Sequence, residues 1–87
     1  MFENLPLIHE SDFQNFLGLN IRAFPKTYEE WSKMIAARRI ESVQRGGDPK
    51  MVPIFASEYT VFCGQRGLAY NLKTLENLVD EKAARQH

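Results

Sequence analysis

An internal repeat restricts the fold of this chain more than any other feature of its sequence. When the chain is shifted by 46 positions, residues 5–18 align with residues 51–64, and four of the fourteen aligned pairs are identical. The identical pairs are Ile8 with Ile54, Ser11 with Ser57, Phe16 with Phe62, and Gly18 with Gly64. The alternative interpretation is that any two amphipathic strand–helix–helix stretches resemble each other once their helix caps are aligned.

Each repeat unit, over residues 5–45 and 51–86, would contain a strand, a capped helix, a loop and a second capped helix. One unit cannot bury its apolar faces alone, whereas two units related by a pseudo-twofold axis can pair their strands and share a core. The 87 residues give room for a single small domain over residues 1–87. The sequence therefore predicts a mainly helical α+β domain with four helices and two short strands that pair into a ribbon.

The two strands are predicted from short apolar runs that end at helix caps. The runs are Leu5–Ile8 and Met51–Phe55, and they contain Pro6 and Pro53. Proline has no amide hydrogen to donate to a neighbouring strand, so it is confined to sheet edges. Both runs are therefore expected at the edge of a sheet or in a two-stranded ribbon.

Capping residues predict where the four helices begin. Thr27, followed two and three residues later by glutamates, opens the longest helix, which ends at Gly46–Gly47. Asn71 opens the last helix, and Ser11 and Ser57 are predicted to open the two shorter ones. The apolar face of the last helix is formed by Leu72, Leu75, Leu78, Val79 and Ala83.

The apolar stripe of the longest helix contains a charged residue. The stripe consists of Tyr28, Trp31 and Ile35, and it is widened to about half of the helix circumference by Ala36, Ile40 and Val43. Arg39 lies in the middle of this arc. Either the helix leaves the core after Ile35, or the arginine is partly buried and paired with a carboxylate such as Glu41.

Charge and composition exclude several classes of protein. Eleven basic and eleven acidic residues cancel, and 44% of the residues are apolar, which excludes a disordered chain. A net charge of zero gives no overall positive field to attract nucleic acid or an anionic membrane. No apolar run approaches the ~20 residues of a spanning helix, and the first ten residues lack a signal-peptide pattern. Since a single cysteine cannot form an internal disulfide, we expect a cytoplasmic protein. The lack of a spanning run and of a positive field predicts no membrane partner.

Residue types that carry catalysis or bind metals are few and scattered. Cys63 lies beside Phe62 on an apolar helix face, where a buried structural thiol is expected. The two histidines, His9 and His87, are not placed to support a nucleophile. Gly46–Gly47 lacks the lysine and hydroxyl residue that follow in a phosphate-binding loop. We therefore predict no catalytic, cofactor-binding or metal-binding residues, no cofactor and no small-molecule substrate.

The chain resembles the ribbon-helix-helix family of DNA-binding proteins in the order of its elements, which is strand, helix, helix. The resemblance covers residues 50–86 and, more weakly, residues 5–38. Two tandem units would resemble a single-chain version of that family's dimer. The resemblance implies a two-stranded antiparallel ribbon whose outer face reads bases in the major groove. Neither apolar run offers a side-chain hydrogen-bond donor, so nucleic acid is a disfavoured partner and the tandem DNA-binding protein is the alternative hypothesis.

Four basic residues cluster around the end of the longest helix. They are Arg38, Arg39, Arg45 and Lys50, and they are the candidate contacts for an anion or a nucleic acid. Glu41 and Asp48 lie among them, so a phosphate-binding patch here would be thin. The simpler interpretation is a solvated helix end, where cations suit the negative terminus of the helix.

Ten aromatic residues (six Phe, three Tyr and one Trp) are many for a chain of this length. Phe55 and Tyr70, together with Met51, lie in segments expected at the surface, and such residues are enriched in protein interfaces. The alternative is that a small core uses all of its aromatic side chains. The leading hypothesis is a non-catalytic protein-interaction or accessory domain that self-associates as a homodimer through the ribbon and this patch.

Overall fold

The computed structural model describes residues 2–85, which form six elements. They are β1 (Phe2–Leu7), α1 (Glu10–Leu17), α2 (Tyr28–Gln44), β2 (Asp48–Pro53), α3 (Ala56–Arg66) and α4 (Leu72–Arg85). The predicted α+β class with four helices and two short strands is confirmed for the described residues. His87 and residue 86, which ends the second predicted repeat unit, lie outside them. Within residues 2–85, no helix combines the length and the apolar character needed to cross a membrane.

β1 and β2 form a two-stranded parallel ribbon. Each residue of β1 pairs with the residue 46 positions later, from Phe2 with Asp48 to Leu7 with Pro53, so the register equals the offset of the sequence repeat. The antiparallel ribbon that the resemblance implies is therefore wrong. Parallel strands need a long crossover connection, and the α1–α2 segment provides it.

The prolines of the ribbon lie on its two outer edges. The Ile54 N–H donates to the Leu7 carbonyl at 3.0 Å, which shows which residues of β2 face β1. Because amide groups alternate in direction along a strand, Pro49 and Pro53 turn their nitrogens away from β1. Pro6 faces the outer edge of β1 by the same alternation. The missing proline amides therefore interrupt no bond between the strands, which confirms the predicted edge positions.

Side chains bind two outward carbonyls at the end of the ribbon. The Tyr28 hydroxyl donates to the Ile8 carbonyl at 3.0 Å, and the Lys82 ammonium donates to the Pro53 carbonyl at 2.6 Å. Together with the prolines, these bonds leave few backbone groups to which a further strand could pair. Association of two copies through the ribbon edges is therefore disfavoured.

The apolar half of the ribbon lies inside the core. α2 and α4 each pack against both strands, and the consecutive residues Leu5 and Pro6 are both buried. Consecutive side chains of a strand point to opposite faces, so both faces are covered here. Neither face of this half can enter a major groove in the way that the resemblance implies.

The two halves of the chain contribute equivalent residues to one core. Ile8 and Ile54 are fully buried, and Phe13 and Tyr59, at another pair of equivalent positions, are at most 1% exposed. Phe16 stacks on Tyr59 with ring centroids 6.3 Å apart, which joins the two halves. The sequence repeat therefore corresponds to the same order of elements and to similar burial, while the pseudo-twofold axis stays a prediction.

The caps of the two longer helices are those that the sequence predicts. The Thr27 hydroxyl accepts a hydrogen bond from the Glu30 N–H at 3.1 Å at the start of α2. The Asn71 side-chain oxygen accepts from the Thr74 N–H at 2.9 Å at the start of α4. Each bond satisfies an amide that has no partner within the helix.

The predicted serine caps of the two shorter helices are wrong. The capping positions of α1 and α3 lie two residues before Ser11 and Ser57. At the start of α3, the Asp12 carboxylate accepts from the Ala56 N–H at 2.8 Å, and Glu58 accepts from the preceding N–H at 3.0 Å. Negative charge is favourable at this end of a helix, so carboxylates replace the hydroxyl cap.

Candidate functional site

Two large aliphatic side chains on α2 point away from the core. Ile40 and Val43 are each 58% exposed, and Ala36, one turn earlier, is also exposed. The opposite side of the same helix carries Trp31 and Ile35, which are buried. Of the apolar arc that the sequence indicates, the part formed by Ala36, Ile40 and Val43 is therefore exposed, and the part that contains Trp31 and Ile35 is buried. We call these three residues the α2 outer face.

The helix in the equivalent position of the second half has a different outer face. The caps Thr27 and Asn71 align at an offset of 44, which places Asp80 and Ala84 of α4 at the positions of Ala36 and Ile40. Both α4 residues are exposed, as their α2 counterparts are. A large exposed aliphatic side chain at this position is therefore a property of α2 and not of the repeat unit.

A groove runs beside the α2 outer face, between α2 and the ribbon. Its volume is about 330 Å³, and its lining is mainly apolar. Its lining includes Leu7, Trp31, Ile35, Arg39, Ile40 and Met51. Arg39 is exposed, which excludes the interpretation that it is partly buried and paired with a carboxylate. α2 nevertheless stays in contact with the core after Ile35, because Ser42 is 1% exposed. We call this cavity the α2 groove.

Two residues that line the α2 groove carry polar groups without a partner in the described part of the chain. The Arg39 guanidinium makes no ion pair or hydrogen bond with any residue between 2 and 85. The Trp31 indole N–H donates to none of these residues either, although the side chain is 3% exposed. Within the same range, the Ser42 hydroxyl alone is both fully enclosed and unpaired, so the indole N–H is not fully enclosed.

The four basic residues predicted as one cluster are distributed over different surroundings. Arg38 is bound to Glu76 at 2.8 Å, and Arg45 is bound to Glu3 at 3.2 Å. Arg39 lines the α2 groove, whereas Arg38 lines a separate cavity at the outer edge of β1. Lys50 is exposed on β2. These carboxylates already hold two of the four charges.

The three residues of the predicted aromatic patch also have different surroundings. Met51 is half-buried in the α2 groove, and Tyr70 packs on Tyr59 with ring centroids 5.3 Å apart. Phe55 is 43% exposed, and the His9 ring stacks on it at 6.1 Å. The sequence identified Met51 as a surface residue but missed the α2 residues around it, for which Arg39 within an apolar arc was the available signal.

The remaining titratable groups near the core have structural surroundings. The Tyr59 hydroxyl lies 2.7 Å from the Thr74 hydroxyl and accepts from the Asn71 N–H at 3.0 Å, so it holds the start of α4. Burial raises the pKa of Tyr59 above its ordinary value, despite the hydrogen bond to Thr74. Cys63 is 1% exposed, which confirms its predicted burial. Among residues 2–85, no three side chains of the metal-binding types gather at one point.

The α2 outer face and the α2 groove are thus surface features that burial and folding leave unexplained. No protein-family model, no curated protein and no solved structure matches this chain. The function is therefore inferred from the exposure, charge and chemistry of the residues themselves.

Proposed function

We propose that the protein is a non-catalytic interaction domain that binds a second copy of itself through the α2 outer face. The observation that supports this most directly is the exposure of Ile40 and Val43, which lie one turn apart on one helix. Exposed aliphatic side chains that adjoin each other are typical of protein-binding surfaces. In a symmetric dimer the same patch serves both partners, so one such face per chain is sufficient.

Charge favours a second copy as the occupant of this face. The net charge is zero, so two copies do not repel each other as whole molecules. At the start of α2, Glu29 and Lys33 form an ion pair at 3.1 Å, so these two charges cancel, while Glu30 leaves one negative charge before Ala36. The paired charges of Glu29 and Lys33 therefore do not make two α2 helices repel each other.

The size of the exposed surface predicts a weak dimer. Full burial of one aliphatic side chain contributes about 1.5–3 kcal/mol, so covering the 58% exposed Ile40 and Val43 of both copies would contribute roughly 3.5–7 kcal/mol. The loss of translational and rotational freedom on association costs at least about 4 kcal/mol. We therefore expect a concentration-dependent equilibrium between monomer and dimer.

The test is the molecular mass in solution as a function of concentration. Sedimentation equilibrium of the unmodified chain is expected to show a mass near that of the monomer at micromolar concentration and a mass that rises above it at millimolar concentration. Ile40→Gln and Val43→Gln should each shift the equilibrium to the monomer. Val61→Gln is the matched control, because Val61 is 56% exposed on α3, and it should leave the mass unchanged. A monomer at every concentration, or equal effects of all three changes, would overturn the proposal.

We further propose that the domain works in the reducing cytoplasm and has no catalytic role. The buried, unpaired Cys63 suits a compartment in which thiols stay reduced. The alternative DNA-binding function has less support, because Arg38 and Arg45 are held by Glu76 and Glu3. Releasing either arginine for a phosphate would require breaking its ion pair.

A further inference from the structure

The α2 groove has the size and lining of a binding site for a small molecule. Its volume of about 330 Å³ lies at the lower end of the range for such sites, which is about 300–1,000 Å³. Leu7 and Met51 from the ribbon face Trp31 and Ile35 from α2 across it. An occupant would therefore need an apolar body that contacts both the ribbon and the helix.

The polar groups of the α2 groove select the charge of that occupant. Arg39 supplies a fixed positive charge at the exposed side of an otherwise apolar lining, and no described carboxylate neutralises it. A guanidinium binds carboxylates well, because its N–H groups match the two carboxylate oxygens. The Trp31 indole N–H is a second donor and accepts nothing, so it also favours a ligand with oxygen acceptors.

We propose that the α2 groove binds a free aliphatic carboxylic acid of medium chain length, with the carboxylate on Arg39 and the alkyl chain between Met51 and Ile35. A cationic ligand would be repelled by Arg39, and a neutral apolar ligand would leave the charge without a partner. This site extends beyond the proposed function: Ala36 and Ile40 belong both to the α2 outer face and to the lining of the groove, whereas Val43 belongs only to the outer face and Arg39 only to the groove. The two proposals can therefore fail separately.

The chain contains one tryptophan, and it lines the site, so intrinsic fluorescence reports binding directly. The probes are octanoate, octanol and octylammonium, titrated into the full chain at constant ionic strength. Octanoate is expected to change the emission of Trp31 with saturation and to raise the melting temperature. Octanol should bind about five- to tenfold more weakly because it lacks the charge-assisted bond, and octylammonium more weakly still.

Variants separate the proposed contact from general adsorption. Arg39→Gln should reduce the affinity for octanoate to that for octanol while leaving the affinity for octanol unchanged. Arg22→Gln is the matched control, because Arg22 is an exposed arginine that lines a different cavity, beside the start of α4. Repeating the titration with Val43→Gln tests independence from dimer formation, and its affinity for octanoate should equal that of the unmodified chain.

Several results would overturn the proposal. Absence of saturable binding, or equal affinity for octanoate and octanol, would mean that the charge of Arg39 selects nothing. A loss of binding in Arg22→Gln instead of Arg39→Gln would place the ligand at the other cavity. A chain that stays monomeric while it binds octanoate would refute the dimer alone, and a dimer without octanoate binding would refute this site alone.

Discussion

Replacing Leu75 with alanine tests whether α4 is held on the core in the way that the structure shows. Leu75 lies one turn after the start of α4 and is 1% exposed, so its whole side chain contacts other residues of the chain. Alanine is a good helix former, and the change adds no polar group. The loss of stability therefore reports burial and packing rather than a change of helix propensity.

The expected loss follows from the burial. Removing three carbon atoms from a fully enclosed site costs their transfer free energy and leaves a cavity, which together amount to about 2–5 kcal/mol for leucine to alanine. A domain of 87 residues has a free energy of unfolding of roughly 4–13 kcal/mol. Leu75→Ala is therefore expected to remove a large part of the stability and to bring a chain at the lower end of that range close to unfolding.

Guanidinium titration followed by the ellipticity of the helices measures this loss, since more than half of the described residues are helical. Leu68→Ala is the matched control, because Leu68 is 37% exposed, in the segment that connects α3 to α4. The control should lose less than about 1 kcal/mol. A loss below about 1 kcal/mol in Leu75→Ala, or equal losses in both variants, would refute the packing of α4 described here.

Three further outcomes are expected. Asp12→Ala should lower the free energy of unfolding by about 1.5–3 kcal/mol in the same titration, because it removes the charge-assisted bond to the Ala56 N–H; no loss would mean that water replaces the carboxylate. Ser42→Ala should leave the melting temperature unchanged or raise it, because the hydroxyl is enclosed without a partner, and a clear drop would reveal a hydrogen bond that the structure lacks. Fluorescence anisotropy of a labelled random DNA duplex should stay constant on addition of the protein at low salt, and salt-sensitive binding would revive the DNA-binding hypothesis.

The start of each longer helix was predictable from sequence because its cap is a local interaction. Thr27 and Asn71 bind amides three residues later, so a short window contains both partners. The starts of α1 and α3 were not predictable in this way. Asp12 binds Ala56, which lies 44 residues away in the sequence, and no local pattern indicates such a pair.

The direction of the strands depends on the connection between them and not on their own residues. The apolar runs and prolines predicted two edge strands, and the prolines do lie on the outer edges. Whether the pair is parallel is decided by the α1–α2 segment, which returns the chain to the starting end of β1. The register of the strands nevertheless equals the 46-residue offset of the sequence repeat.

The candidate site was missed because helical periodicity shows an apolar arc but not how much of it a neighbour covers. The arc of α2 spans about half of the helix, and the two strands are too narrow to cover it all. Trp31 and Ile35 are buried under the ribbon, while Ile40 and Val43 lie beyond its reach. Arg39 is exposed and lies on α2 between the buried and the exposed parts of this arc, in the middle of which the sequence places it.

The two halves of the chain differ on the outer faces of their second helices, and this difference indicates that α2 carries the function. Positions that face the shared core are alike in both halves, since both must fill the same interior: Ile8 and Ile54 are equally buried. Positions on the outer faces have no such requirement, and there the halves differ, with Ile40 in α2 where α4 has Ala84. An isoleucine that is 58% exposed leaves most of its surface in water, whereas an alanine at the equivalent position serves a solvated helix well. Ile40 is therefore best explained by a contact outside the chain, and it belongs both to the α2 outer face and to the lining of the α2 groove.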